Sequence, residues 1–293
     1  MVKTLLISVA AFGLFFAANQ GFAQQSSAAQ EALPAGGPSY SDLADLATDT
    51  PLAAQVEVRQ MTAIDKKGAG GAAPGRRRVF IKARVLTLIR GDNGISKDIG
   101  FLYDAPVDSR GKLPKLKKSQ ALIFGRIVAG KPDQVQLVAP DAMVPSGSAV
   151  DATVRTIIAE ALSNGAPPRI TGIGDAFHVA GTIEGEGETQ IFLKTANGDP
   201  VSLSVIRRPN VAPEWAVALG EVVDQAAAAP QKNSLLWYRF ACFLPRALPA
   251  RSLASLAPGD AQAAQADYAV VLKGLGPCGR TRAPVAPAGA PAN

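Results

Sequence analysis

Arg78, Phe80, Lys82 and Arg84 recur at alternate positions of RRRVFIKARVLTLIR, residues 76–90. Alternate side chains of a strand stand on one face, so the three cations can meet phosphates, sulfates or carboxylates together while Phe80 offers a stacking surface. Val79, Ile81, Ala83, Val85 and Ile89 fall on the other side, which is therefore expected to face the core. Lys115, Lys117 and Lys118, within RGKLPKLKK, are expected to border the basic face from a neighbouring loop, as are Arg76, Arg77 and Lys112.

His178 is the only histidine, and Asp175, Glu184, Glu186 and Glu188 lie close to it in sequence. Histidine is the usual general base near neutral pH. Catalysis would also need a nucleophile or a metal, however, and neither GxSxG nor HExxH occurs. Cys242 and Cys278 are the only cysteines. An even pair in an oxidising compartment is expected to form a disulfide. There is no CxxC, and a zinc site on two cysteines would need ligands that one histidine does not supply. The run EGEGE, residues 184–188, lacks the spacing of a calcium loop and reads as a hairpin tip. GAGGAAPG lacks the GK[ST] ending of a phosphate loop, so neither a metal nor a cofactor is expected.

Elements must hold these residues in place. Residues 1–23 read as a signal peptide, with Lys3 before the apolar run LLISVAAFGLFFAA and Gly21-Phe22-Ala23 before a cleavage point. The run is shorter than the roughly 20 apolar residues of a membrane span. The expected location is periplasmic or secreted, with no transmembrane anchor after cleavage. Residues 24–38 are rich in Ala, Gln, Ser and Gly and read as a disordered leader; residues 283–293, rich in Pro and Ala, read as a disordered tail.

Between these ends the pattern is α+β. Residues 39–165 predict a short helix capped by Ser41 or Asp42, then strands over 52–65, 76–90, 98–104, 119–129 and 134–139, then a helix over 151–163. Gly165-Ala166-Pro167-Pro168 reads as a domain boundary. Residues 169–282 predict a smaller α+β unit: a three-stranded meander over 177–183, 189–195 and 201–207, and helices over 233–244 and 260–272. Periodicity does not decide between strand and helix for 215–224. Trp215, Trp237, Tyr238, Phe240 and Phe243 fit core packing, whereas exposure of Trp237 and Phe243 would point to a protein partner.

Five short strands with a helix are the ingredients of a small barrel, of which the OB-fold is the common binding form. The spacers, with LTLIRG before one strand and a Lys-rich turn before ALIFGRI, resemble those of the OB-like domains of netrin-module and metalloprotease-inhibitor proteins. The cysteines of those domains are missing, so the resemblance implies an OB-like barrel and no activity. The whole chain resembles uncharacterised exported proteins of proteobacteria.

Charge is concentrated in the first half. Residues 59–118 hold 15 Lys and Arg against 5 Asp and Glu, a net of +10, while the whole chain carries +6. Such asymmetry marks a surface for anionic partners. The favoured expectation is an exported, non-enzymatic binding or envelope-assembly protein with its site on the basic barrel face. Its partner would be an acidic glycan, lipopolysaccharide, an anionic lipid or an acidic protein, nucleic acid being the less natural partner outside the cell. One alternative is a hydrolase using His178 with a nearby carboxylate; another is a module that docks a protein through its aromatic C-terminal unit.

Overall fold

The alternation of residues 76–90 forms one long strand, β2 (Arg76–Arg90), with Val79, Ile81 and Ala83 buried. The computed structural model of the chain describes residues 32–64, 71–220 and 227–284. The expected signal peptide, the leader through residue 31, the Gly-rich loop at 65–70, residues 221–224 of the undecided segment and the tail from residue 285 lie outside them. Of the leader, Gly37 closes a turn on the Pro34 carbonyl, and Leu33 packs against the core.

β1 (Leu52–Ala63), β2, β3 (Asp98–Pro106), β4 (Gln120–Val128) and β5 (Lys131–Leu137) form a closed five-stranded barrel. The order is β1-β2-β3-β5-β4, and β4 pairs back onto β1 from Leu52 opposite Gly125 to Glu57 opposite Gln120. The register of β1 with β2 shifts at three points, with Leu86 and Ile89 extra on β2 and Arg59 extra on β1, and bulges of this kind bend the strands that carry them. All five pairings are antiparallel except β3 with β5, which run parallel and share the single pair Gly100 and Gln134. A short strand, β6 (Met143–Pro145), lies against β4.

Two cores result, and β4 belongs to both. Ala121 and Ile123 point into the barrel with Val58, Ile81 and Phe101, whereas Leu122 and Phe124 point outward into a second core. A strand buried on both faces reads as an unbroken apolar run, as ALIF does. The second core joins Leu43 of α1 (Tyr40–Thr48), Ile157 of α2 (Ser148–Leu162), a second sheet and the C-terminal helices. Residues on both sides of 165–168 share it.

The second sheet contains β7 (Ile170–Ala180), β8 (Gly187–Thr195), β9 (Val201–Arg207) and β10 (Glu214–Ala218), all antiparallel in the order β10-β9-β8-β7. The undecided segment is thus a strand as far as Ala218, and the meander has a fourth member. β7 starts earlier and ends earlier than the alternation of 177–183 suggested. Its pairing slips at Ile170–Gly172 and Ile173–Ala176, which hides a period of two. The turn is accordingly 181–186 rather than EGEGE, with Gly187 and Glu188 already in β8.

The helix caps also differ from expectation. Ser39 caps α1 in a reciprocal capping box with Asp42. Ser234 caps α3 (Leu235–Ala241), which starts two residues later than the expected 233. α4 (Pro258–Leu275) runs three residues past the expected end at 272, through Gly274, where a side chain would clash with the Trp215 indole, so glycine lets the helix pack closely there. Among the described residues no helix is long and apolar enough to cross a membrane.

Cys242 and Cys278 are bonded, tying the end of α3 to the segment after α4 across 36 residues. On the chain-entropy account such a loop stabilises the fold by about 4 kcal/mol. The segment then latches onto α1. Arg280 forks onto Asp45 at 2.7 and 2.8 Å, and Asp42 accepts from the Thr281 N–H at 2.9 Å and the Thr281 hydroxyl at 2.6 Å. Trp237 is buried with Nε1 donating to the Leu275 carbonyl, and Phe243, half exposed, lies under the Arg280 guanidinium.

Candidate functional site

The outer face of β2 carries Arg78, Phe80, Lys82 and Arg84, and its register with β3 decides what each can do. The partners across are Asp104 for Arg78, Leu102 for Phe80, Gly100 for Lys82 and Asp98 for Arg84. The two arginines therefore face carboxylates, and the lysine faces a glycine.

These pairings differ in strength. Arg78 forks onto Asp104, with Nε to Oδ1 at 2.7 Å and Nη2 to Oδ2 at 3.0 Å, and the Asp104 side chain is only 4% exposed. The hydrogen bond to Asp104, then its charge, pushes the Arg78 guanidinium further up from its ordinary value. This pair holds structure. Arg84 Nε lies 3.5 Å from Asp98 Oδ1, with both side chains well exposed, so water screens the attraction. Lys82 is exposed and has no ion pair among the described residues. Of the three cations on the face, Lys82 is the one best able to take an anion.

The Phe80 ring reaches over to Gly100, where a Cβ would sit 2.6 Å from its Cζ; glycine is what lets the ring approach β3 so closely. On either side of that ring is a cavity. The larger, about 500 Å³, runs along the seam between β3 and β5 and is bordered by Arg78, Asp104, Leu102 and Gln136. The smaller, about 340 Å³, is bordered by Arg59, Lys82, Asp98 and Asp133. Phe80, Gly100 and Gln134 line both. The larger cavity lies where the single pair between β3 and β5 leaves the barrel wall least closed.

Arg78, Phe80 and Lys82 are thus brought together, and Arg84 stands beside them through Asp98. Lys115, Lys117 and Lys118 are exposed in the loop before β4 and line neither cavity; the Lys118 N–H donates to the Val58 carbonyl. Arg59, Gln134, Gln136 and Asp133 were not singled out from the sequence. Gln134 and Gln136 flank the buried Val135, an alternation that signals an outward pair on β5.

His178 stands elsewhere, under α4. Its Nδ1 is 2.8 Å from Thr189 Oγ1 and 3.8 Å from Asp267 Oδ2. The Thr189 hydroxyl donates to Asp267, so it accepts from His178, which places a proton on Nδ1. Asp267, fully buried, also accepts from Arg207 Nε. The carboxylate next to His178 is therefore Asp267 on α4, not Asp175 or Glu188, which are exposed on the other face of the sheet. The His178 side chain is 7% exposed and lines neither barrel cavity nor the pocket of about 220 Å³ beside Tyr268. A charged residue on the stripe of Ala264, Tyr268 and Val271 was the available signal for Asp267. No cluster of His, Cys, Asp or Glu suited to a metal ion occurs among the described residues.

On that other face Phe177 and Phe192 meet edge to face at 5.8 Å, and Val179 and Ile206 are exposed nearby. The exposed apolar surface of the C-terminal half thus includes this sheet face, while Trp237, Tyr238 and Phe240 are core.

Fold and site together define a mixed α+β protein: a closed five-stranded barrel with a two-lobed cleft, a second antiparallel sheet of four strands, and C-terminal helices joined by a disulfide. No protein-family model matches the sequence, and no curated protein matches it.

Proposed function

We propose that the barrel is of the OB type and that the protein is an exported, non-enzymatic binding or envelope-assembly protein holding an anionic ligand in the cleft across β2, β3 and β5. The strand order β1-β2-β3-β5-β4, closed onto β1 and with only β3 and β5 parallel, supports the OB assignment. Barrels of that type bind ligands along the face of their second and third strands. The apolar N-terminal run of the sequence and the Cys242–Cys278 bond support export to the periplasm or beyond.

One observation carries the binding reading: Lys82, without an ion pair among the described residues, stands beside an aromatic ring with a cavity on each side. Acidic glycan, lipopolysaccharide, anionic lipid and acidic protein all offer the required charge. The experiment is retention on a sulfated-polysaccharide column as salt is raised. A variant with Arg59, Lys82 and Arg84 changed to Ser should elute at much lower salt than the parent, and one with Lys115, Lys117 and Lys118 changed to Ser should stay close to it. Equal loss in the two variants, or loss only in the second, would sink the cleft as the site.

A further inference from the structure

We infer that the ligand of this cleft is a linear acidic glycan whose carboxylates are spaced by neutral, hydroxylated rings; the inference rests on the anion-binding reading above and narrows it. Charges of both signs border the cleft. The smaller lobe sets Arg59 and Lys82 beside Asp98 and Asp133, and Arg59 is already 2.8 Å from Glu57. In the larger lobe Arg78 is already paired with Asp104, which leaves little net charge there.

A phosphate-dense polymer, with a charge on every unit, would set anions against Asp98 and Asp133. A sparsely charged chain avoids this, because one carboxylate can meet Lys82 while its neighbours present hydroxyls. Ionised carboxylates only accept hydrogen bonds, and hydroxyls supply donors. Gln134, shared by both lobes, offers both a donor and an acceptor to the same kind of group. Phe80 lies between the lobes on Gly100, where the apolar face of a sugar ring can cover it. The lobes, at about 500 and 340 Å³, lie within the range of small-ligand sites, and sharing Phe80 makes them tandem subsites for successive units of one chain.

The test measures binding of the full chain by calorimetry to four soluble polymers at matched length and ionic strength: hyaluronan, whose carboxylates stand on alternate rings with neutral rings between, its methyl ester, polyphosphate and poly-glutamate. Hyaluronan should bind best. Phe80→Ala should weaken it about tenfold or more, the scale of losing a stacking platform. Lys82→Ala should weaken it and flatten its salt dependence. Should Phe80→Ala fail to fold, as judged by circular dichroism, Phe80→Leu and Gln134→Ala serve in its place. Preference for polyphosphate that Lys82→Ala abolishes would overturn the glycan and leave the anion cleft standing. Preference for poly-glutamate would overturn it in favour of an acidic peptide. Equal binding of the methyl ester would overturn the requirement for a carboxylate. Binding to none of the four would remove both the glycan and the anion-binding reading beneath it.

Discussion

The barrel cleft and the Asp267 network use the same residue types but are closed to different degrees. In the network, Asp267 is fully buried and takes Arg207 and the Thr189 hydroxyl, while Thr189 takes His178; each group answers another. In the cleft, Arg78 is answered by Asp104, Arg84 only at 3.5 Å by an exposed Asp98, and Lys82 by a glycine. Buried polar groups that satisfy one another fix a fold, and charge left open beside a cavity is free to meet a ligand. The histidine, the more obvious residue by chemical type, lies in the closed cluster, and an ordinary lysine lies in the open one.

The comparison predicts that substitutions in the closed cluster act on stability and those in the open one on binding. Asp267→Ala should have the largest effect, because it strands Arg207 and unties Thr189 and His178. A loss of about 3 kcal/mol is expected in urea unfolding, at the lower end for a broken buried pair because Arg207 keeps 32% exposure. A loss below about 1 kcal/mol would mean that the network is not closed.

Arg78→Ala comes next, with about 2 kcal/mol lost as Asp104 is left buried without its fork. Thermal unfolding of this variant beside Lys82→Ala separates structural from available charge on a single strand face. An unchanged midpoint in Arg78→Ala would put both residues in the open class.

The segment after α4, a strap over α1 held by Arg280 and Thr281, belongs to the closed class and gives it a pH signature. Burial by itself would raise the Asp42 carboxyl, but hydrogen bonds from the Thr281 hydroxyl and the N–H groups of Ser39 and Thr281 outweigh it and hold the carboxyl below the ordinary range. The folded value thus lies below the unfolded one, so the stabilisation is complete above about pH 4 to 5 and is lost as pH falls through the folded value. Asp42→Asn should cost about 1 kcal/mol at neutral pH and flatten the decline in stability below about pH 4. An unchanged acid slope would assign that decline to other carboxylates. Lys82→Ala should have the smallest effect on folding, within about 0.5 kcal/mol, while weakening ligand retention.

β2 was legible in its bounds because its alternation is clean from Val79 to Val85, but the bulges at Leu86 and Ile89 turn Leu88 to the barrel core and the expected Ile89 to the second core; the rest of the barrel was legible to within a few residues. β7 was legible only in its second part, because two slips in pairing erase its period. The basic face was visible as a face, but not the division of labour on it. Asp104 and Asp98 reach Arg78 and Arg84 through the register of two strands, and single-strand alternation does not contain that register. Asp267 was present as a misplaced charge on an apolar helix stripe. Its partners Thr189 and Arg207, 78 and 60 residues away, were not recoverable from local spacing.

The latch between α1 and the strap has a consequence in time. Asp42 is synthesised 239 residues before the Thr281 that closes on it. At about 5–20 residues per second, on the order of ten to fifty seconds separate the two. During that interval α1 carries Asp42 and Asp45 without Thr281 and Arg280, and its place against α3 is provisional. The lock is turned by residues made long after the helix they hold, so α1 is finished only when the segment after α4 arrives.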